Sequence, residues 1–273
     1  MKSAFYALVN FINTAEINDV YSNAAKKILE NIGKIPNSTI VDVAAFCFVS
    51  TATISRLCRK LNYESFADFK NDVTMNLSYF NKDSLRYQFD HQLPEKKDIQ
   101  NKDPKEVFAN HFENIIDNLR ATYNSISFEE LENIVEKIHQ ANRVCFAGNF
   151  FTQSVAMQLQ IELSYVGKEC TAMYPLSSQV EIIKNLDEND ILIVSSIAGG
   201  YMKDHPDIMR EISKCKAYKV GISQLDDFVY SESFDTLLKV GTNHHSLIGK
   251  FSITYIFEVF EALYHLKYYN EKI

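Results

Sequence analysis

The chain has 273 residues, of which 46% are hydrophobic and 23% are charged, and its formal net charge is -7. This composition excludes a disordered chain, because such chains hold too few apolar and aromatic residues to form a core. The low counts of proline (5) and glycine (8) exclude collagen-like and low-complexity sequences. The acidic balance argues against non-specific binding of nucleic acid, although an acidic chain can still carry a small basic face.

The sequence predicts a protein without a membrane span, because no window of about 18 residues is apolar and free of charge. The first residues lack the long apolar segment of a secretory signal, so we expect a cytoplasmic protein. The five cysteines form no C-x-x-C pair and have apolar neighbours. We therefore expect buried free thiols, and we predict no metal site and no cofactor.

Three regions with different patterns follow one another along the chain. Residues 1–80 carry apolar residues at helical spacing and are predicted to form an all-helical domain. Residues 81–103 are charged and aperiodic, as expected of a linker. Residues 104–273 alternate apolar runs with helical patterns, which predicts an α/β domain with a five-stranded parallel sheet flanked by helices.

Within residues 104–273, local signals place the individual elements. Asp103 and Pro104 are typical of an N-cap and first helical residue, and Ser127 with Glu130 forms a capping-box pattern. Strands are predicted over residues 144–147, 191–194, 218–222 and 236–240. Helices are predicted over about residues 104–123, 127–140, 154–167, 206–214 and 247–268.

A short helix, a tight turn and a second helix are predicted between Ile40 and Leu61. Ser50 is a suitable N-cap for the second helix, and Asn62 follows its last apolar residue, where a left-handed residue often ends a helix. At about 100° per residue, one side of this helix is apolar. That side consists of Ile54, Leu57, Cys58 and Leu61.

The opposite side of the second helix is cationic and carries short hydroxyl side chains. Arginine can bind guanine through two hydrogen bonds, and hydroxyls can reach base edges or phosphates, so this face suits the major groove of DNA. An ordinary solvated helix is the alternative. We predict that DNA is contacted by Ser50, Thr51, Thr53, Ser55, Arg56, Arg59 and Lys60, with Lys70 as a phosphate contact.

Residues 50–63, together with Phe66, Phe69 and Lys70, resemble the helix-turn-helix of RpiR-type transcriptional regulators, whose pattern is roughly S-x-A-T-I-x-R-F-C-R-K-L-G-F. Phe48 departs from the glycine that many such turns carry, and Asn62 replaces another glycine. The resemblance covers about residues 1–80. It implies a transcriptional regulator of carbohydrate metabolism that binds a double-stranded DNA operator as a homodimer or homotetramer.

The resemblance also implies a sugar-isomerase-type (SIS) domain after the linker, with a sugar phosphate as effector. Open parallel sheets bind ligands beyond the carboxyl ends of their strands, so the loops after Ala147 and Val194 are the candidates. SIS domains usually show G-x-G-x-S-x-x-x-A in the first loop and S-x-S-G-x-T in the second. Here Phe150, Ala198 and Tyr201 depart from those patterns.

The predicted effector site is therefore a weakened version of the SIS pattern. Hydroxyls and backbone N–H groups at helix N-termini would bind a phosphate, while helix capping is the alternative role of the same serines and threonines. We predict effector contacts from Gly148, Asn149, Thr152, Ser195, Ser196, Gly199 and Gly200.

Two other functions stay open at this point. The first is an SIS-type sugar-phosphate isomerase with a helical appendage, in which Glu162 or Glu181 would act as the base. The sequence shows no paired acid and base, and this disfavours an enzyme. The second is a regulator with a vestigial or altered effector site. The adjacent His244 and His245 have no third ligand at metal-binding spacing, so we interpret them as a loop pair near the ligand.

Overall fold

The computed structural model describes residues 4–16, 18–82, 103–172, 176–225, 229–242 and 246–268. The chain divides into two compact units, residues 1–85 and 86–273. Most of the predicted linker and the histidine pair, His244 and His245, lie outside the described residues.

The described part of the first unit is helical throughout, as predicted. A 3-10 helix, Ile32–Asn37, separates its second and third α-helices. Its core is formed by apolar side chains from all of these helices, with Leu8, Ile28 and Phe69 almost fully buried. The α-helices are α1 (Ala4–Thr14), α2 (Val20–Glu30), α3 (Ile40–Phe46), α4 (Thr51–Lys60) and α5 (Phe66–Lys82).

Helices α3 and α4 form the predicted helix-turn-helix, with their axes bent by 97°. The turn after α3 is held by two backbone bonds, from the Val49 N–H to the Ala44 carbonyl (3.0 Å) and from the Phe48 N–H to the Ala45 carbonyl (3.2 Å). This arrangement needs one residue in the left-handed backbone conformation, and Phe48 adopts it with φ of 57°. The Ser50 hydroxyl then accepts the Thr53 N–H at 3.1 Å, which confirms the predicted N-cap of α4.

The end of α4 repeats the same backbone pattern. The Tyr63 N–H donates to the Cys58 carbonyl (2.9 Å) and the Asn62 N–H donates to the Arg59 carbonyl (3.0 Å). Asn62 has φ of 65°, which confirms the predicted left-handed residue after the helix. Tyr63 is buried, and its hydroxyl donates to Asp72 Oδ2 at 2.5 Å.

The second unit is an α/β domain with a fully parallel sheet in the strand order β2-β1-β3-β4-β5, which confirms the predicted five-stranded sheet. Its strands are β1 (Arg143–Gly148), β2 (Glu169–Thr171), β3 (Ile191–Ser196), β4 (Tyr218–Ser223) and β5 (Thr236–Lys239). Its helices are α6 (Pro104–Ser125), α7 (Phe128–Gln140), α8 (Phe150–Tyr165), α9 (Leu176–Lys184), α10 (Gly200–Asp204), α11 (Pro206–Lys214) and α12 (Ser246–Tyr268). Short 3-10 helices cover Ile197–Gly199 and Ser231–Ser233.

Both faces of the sheet are covered, because alternate residues of β1 join different cores. Val144 and Phe146 belong to one core, with side chains from α7, α8 and α12. Cys145 and Ala147 belong to the other, with side chains from α9, α10 and α11. The parallel pairing of β1 with β3 and of β3 with β4 places the carboxyl ends of these strands at one edge of the sheet.

The capping-box prediction at Ser127 is wrong. Ser127 is the N-cap of α7, but its side chain makes no capping hydrogen bond. Ser127 and Glu130 are both exposed, so water can satisfy the same backbone groups. The Asp103 cap is confirmed, since its carboxylate accepts the Lys105 N–H at 3.0 Å.

The cysteines are free, and three of them, Cys47, Cys58 and Cys145, are buried. Burial raises the pKa of the Cys58 thiol to about 12, so this side chain behaves as a small apolar group.

Among the described residues, no single helix is long and apolar enough to cross a membrane. Helices α3 and α4 taken together, across their bend, reach the length and apolar composition of a membrane span.

Candidate DNA-binding face and ligand site

Helix α4 has one buried side and one cationic exposed side, as the sequence predicts. Ile54, Leu57 and Cys58 are at most 1% exposed and attach the helix to the core of the first unit. Arg56 and Arg59 are exposed on the other side. The geometry therefore separates the packing residues from the charged residues along the whole helix.

The side chains of the two arginines are unpaired within the part of the chain that the structure describes, where neither guanidinium has a hydrogen-bond or ion-pair partner. Helix α4 contains no acidic residue. Lys60 is also exposed, and its ammonium group lies 5.0 Å from the centre of the Tyr21 ring. The helix thus presents cations that can attract a polyanion without first breaking an internal ion pair.

The other residues predicted to contact DNA have more varied surroundings. Thr51 is exposed, whereas Thr53 and Ser55 are half-buried. The Ser50 and Thr53 hydroxyls lie 2.9 Å apart and hydrogen-bond to each other. Lys70 donates to the Ser38 carbonyl at 3.0 Å, so this ammonium group already stabilises the segment before α3.

The predicted ligand site lies at the carboxyl edge of the sheet in the second unit. Gly148, the last residue of β1, pairs with Ser195 of β3. A Cβ atom at Gly148 would lie 2.2 Å from Thr152 Oγ1 and 2.8 Å from the Ser195 carbonyl oxygen. Only glycine fits this approach, which brings the first turn of α8 against the end of β3.

The hydroxyls predicted to bind the effector have internal partners or are buried. Thr152 is 2% exposed, and its hydroxyl donates to the Asn149 carbonyl at 2.9 Å. Ser196 is 1% exposed and accepts the Tyr201 N–H at 3.0 Å. Ser195 is buried as well. The Ser196 contact, to an N–H in the first turn of α10, resembles helix capping, whereas Thr152 bonds back to a carbonyl of its own helix start. The effector role of these residues stays a prediction.

Three of the predicted residues and one other differ in exposure at this edge, Gly199 being buried and Lys203 exposed. Asn149 is exposed and is the N-cap of α8. Gly199 is left-handed with φ of 68°, and a Cβ there would lie 2.7 Å from Leu225 Cδ1. Gly200 has open space around it. Lys203, which sequence analysis missed, places its Cε 3.7 Å from the position of a Cβ at Gly199.

A buried polar chain, also missed from the sequence, connects three elements at this edge, α10, α9 and β1. The Tyr201 hydroxyl donates to Gln179 Oε1, and Gln179 Nε2 donates to the Gly148 carbonyl at 3.0 Å. Tyr201 and Gln179 are each 1% exposed. Burial raises the pKa of the Tyr201 phenol, so the hydroxyl stays protonated and acts as a donor.

Further polar side chains are buried near these strand ends. Ser223 and Gln224, at the end of β4, are fully buried. Gln153 in the first turn of α8 is 2% exposed, and its Nε2 has no hydrogen-bond partner within the described ranges. Ligands bind beyond the carboxyl ends of the strands in open parallel sheets, and this rule selected the loops after β1 and β3. Applied to β4 as well, the same rule would have found Ser223 and Gln224.

The two glutamates considered as isomerase bases have other partners. Glu162 lies about 18 Å along α8 from its first residue, and accepts a hydrogen bond from His265 at 3.0 Å. Glu181 is exposed and forms an ion pair with Lys184 at 2.9 Å. Glu162, Glu261 and His265 have ligand atoms within 4.8 Å of one another, a spacing that could hold a metal ion.

A depression of about 360 Å³ lies at the opposite, amino, edge of the sheet. Arg143 and Asp190 form an ion pair here, with Nη2 and Oδ2 2.5 Å apart. The lining carries both signs of charge, including Lys137, Lys216, Lys219, Asp190 and Asp235. Because carboxylates stand beside the lysines in its lining, this depression lacks a uniform positive charge that would favour a phosphate group.

Comparisons with known proteins find similar domains for both units of the chain. Residues 13–79 match the helix-turn-helix domain of the rpiR family. The chain is 26% identical over 175 residues to an HTH-type transcriptional regulator of Caldanaerobacter subterraneus, a match that covers 64% of this chain and 58% of that protein. It is 21% identical over 175 residues to an HTH-type transcriptional regulator of Providencia stuartii, covering 64% of this chain and 59% of the relative. The matches therefore span somewhat more than half of each relative.

Two solved structures share the fold. NanR of Vibrio vulnificus, complexed with ManNAc-6P, aligns with a TM-score of 0.53 and 20% identity over 97% of this chain and 94% of that chain. The sugar isomerase domain of an RpiR transcription factor from Sphaerobacter thermophilus aligns with a TM-score of 0.51 and 22% identity over 59% of this chain and 90% of that chain. Residues 13–79 thus match the helix-turn-helix domain of the rpiR family, and the C-terminal α/β domain shares the fold of a sugar isomerase domain.

Proposed function

We propose that the protein is a cytoplasmic, DNA-binding transcriptional regulator of carbohydrate metabolism, without catalytic activity, whose C-terminal domain binds a sugar phosphate. The observation that carries this proposal is the exposed cationic side of α4, with Arg56 and Arg59 unengaged within the described structure. The helix-turn-helix domains of its relatives support the same conclusion.

In this proposal α4 lies in the major groove and its N-terminal end reaches the base edges. Helix-turn-helix proteins generally bind as dimers, with half-sites about 34 Å apart. A homodimer or homotetramer would therefore place two copies of α4 on one operator. Arg56 and Arg59 would contact guanine or phosphate, and Ser50 and Thr51 would contact the backbone at the start of the helix.

The effector would bind at the carboxyl edge of the sheet. Because the Thr152 and Ser196 hydroxyls already have internal partners, the phosphate would be held mainly by backbone N–H groups in the first turn of α8. Lys203, beside Gly199, would supply a positive charge. ManNAc-6P, the ligand in the NanR complex, is the first compound to test.

A regulator explains this edge better than an isomerase does. The buried polar side chains described at the ends of β1, β3 and β4 are hydroxyls and amides, which bind but do not serve as general bases near neutral pH. The two glutamates that an isomerase would recruit are engaged with His265 and Lys184.

The proposal is tested by fluorescence anisotropy with the full chain and labelled DNA from upstream of its own coding sequence. We expect saturable binding to that DNA, at least tenfold stronger than binding to a shuffled duplex of equal length. Addition of a sugar phosphate should change that affinity, because an effector acts through different affinities for two states. Equal affinity for both duplexes, together with turnover of a hexose or pentose phosphate, would instead favour the isomerase.

Effector binding is tested separately by thermal denaturation with a panel of sugar phosphates and their unphosphorylated sugars. A ligand present at 100 times its Kd should stabilise the folded state by about 2.7 kcal/mol. A shift with the phosphorylated compounds alone supports the proposed effector class. A shift with the free sugars as well would support the altered effector site.

A further inference from the structure

Phe48 combines two properties that folding does not explain. It is a bulky non-glycine residue with φ of 57°, a backbone conformation that is strained for such side chains. Its side chain is also 86% exposed, so the ring gains almost nothing from the core of the first unit. A glycine would form the same turn without strain, and it would not expose an aromatic ring to water.

Asn62 shows that the same domain meets this requirement elsewhere with a suitable residue. It occupies the corresponding position after α4, with the same pair of backbone hydrogen bonds and φ of 65°. Asparagine tolerates the left-handed conformation far better than an aromatic residue does. The aromatic side chain at position 48 therefore calls for a role outside folding.

The position of Phe48 indicates what that role is. It lies two residues before Ser50, the N-cap of α4, and therefore at the end of α4 that helix-turn-helix proteins direct toward base edges. Ala52, in the first turn, is exposed and too small to fill the space beside a base. The charged residues Arg56 and Arg59 begin one turn further along the helix.

We propose that Phe48 is a specificity-determining residue that packs its ring against the 5-methyl group of a thymine in the operator. Thymine is the base that offers an apolar group in the major groove, and apolar side chains recognise it by contact. The proposal rests on the DNA-binding function proposed above, and adds an apolar contact to the charged contacts of α4.

The experiment uses the full chain and a duplex selected by the wild-type protein from a random-sequence library. Each thymine of that duplex is replaced in turn by uracil, which removes only the methyl group. For the wild type we expect one thymine per half-site at which the replacement weakens binding about fourfold, the value for one buried methyl group. F48G should bind the thymine duplex about tenfold more weakly than wild type, and should not distinguish uracil from thymine at that position.

Two matched variants separate DNA contact from backbone effects. N62G makes the same kind of change at the left-handed position that follows α4, and should retain the wild-type affinity and the uracil effect. F48L keeps an apolar side chain and should retain part of the uracil effect. F48G should melt at or above the wild-type temperature, because the turn is relieved of strain.

The outcomes are distinct for the two proposals. If the wild-type protein selects no duplex, the proposed function fails and this inference fails with it. If the wild type selects a duplex but F48G binds it equally well, or shows the same uracil effect, the function stands and the role of Phe48 is overturned. A loss of binding that N62G shares would also overturn it, because a change in the turn backbone would then be the cause.

Discussion

Tyr201 donates its hydroxyl hydrogen to Gln179 Oε1, in the interior of the second unit, and so joins α10 to α9. Gln179 in turn donates to the Gly148 carbonyl, so the end of β1 depends on the same contact. Tyr201→Phe should lower the free energy of unfolding by about 1 kcal/mol, because it removes a buried hydrogen bond between two helices. Urea unfolding measures this change.

The control for Tyr201→Phe is Tyr123→Phe, at a residue that is 70% exposed and loses no buried contact. We expect its unfolding free energy to stay within about 0.5 kcal/mol of the wild type. Equal values for the two variants would contradict a structural role for the Tyr201 hydroxyl.

Gly148 and Gly200 provide a matched pair at the ligand edge. Gly148→Ala should destabilise the protein by about 1–3 kcal/mol, because the added methyl group would overlap Thr152 Oγ1 and the Ser195 carbonyl. Gly200→Ala should be neutral or stabilise by up to about 1 kcal/mol, since the residue is helical, with φ of -58°, and has open space. Thermal and urea denaturation of both variants checks the difference, and a reversed order would refute the close packing at β1.

Arg56 is expected to carry a large part of operator affinity. Arg56→Ala should weaken specific binding by about 1–3 kcal/mol if the guanidinium reads a base. Lys26→Ala removes the same charge from an exposed position on α2 and should have a much smaller effect. Anisotropy at a fixed salt concentration measures both variants, with circular dichroism to show that each is folded. Unchanged operator binding by folded Arg56→Ala would remove this arginine from the interface.

Lys203 should contribute to effector affinity but not to the fold. Lys203→Gln should weaken the binding of a sugar phosphate about tenfold, because a charge-assisted contact to phosphate is worth about 1.5 kcal/mol or more. Lys214→Gln, on α11, is the control, since this lysine is paired with Glu211 at 3.0 Å. Calorimetric titration with ManNAc-6P gives the comparison. Equal affinity for the two variants would show that the phosphate binds elsewhere.

The Arg143–Asp190 pair gives a pH-dependent contribution to stability. Burial disfavours ionisation of Asp190, but hydrogen bonds from Arg143 and from the Asp187 N–H hold the pKa of this carboxyl below its usual value. Because the folded-state pKa is the lower one, the stabilisation is complete above about pH 4 and is lost as the pH falls through the folded-state pKa. Asp190→Asn should therefore cost about 3 kcal/mol at pH 7, and progressively less in the same assay as the pH falls below about 4.

Asp207→Asn is the control for this pH dependence. Asp207 pairs with Arg210 at 3.3 Å on the surface of α11, where both side chains are largely exposed. Its substitution should change stability by at most about 0.5 kcal/mol at either pH. A pH-independent cost for Asp190→Asn would mean that lost packing, rather than charge, explains the difference.

The sequence was sufficient to predict the surface of α4, because a ten-residue helix with a 3.6-residue period separates Ile54, Leu57 and Cys58 from Arg56 and Arg59 without any tertiary information. It was also sufficient for the parallel sheet, whose central strands are continuous apolar runs. The three-residue strand β2 was missed, since so short a segment has no measurable period.

The ligand edge was harder to predict, because its polar contacts join residues that are distant in sequence. Gln179 and Tyr201 lie 22 positions apart and belong to different helices, so no local pattern links them. Whether the Thr152 and Ser196 hydroxyls would face a ligand or a backbone group depended on rotamers that the sequence does not determine. Lys203 was identified as a candidate only because the structure places it near Gly199.

The apolar cores described above are drawn from separate stretches of chain. The core of the first unit uses buried residues from Ala4 to Val73, and those of the second unit use residues from Leu131 to Tyr264. A recombination event that joined either half to a foreign partner would break none of these cores. Evolution, or a laboratory that builds chimeric proteins, can therefore exchange either half while the apolar interior of the other stays intact.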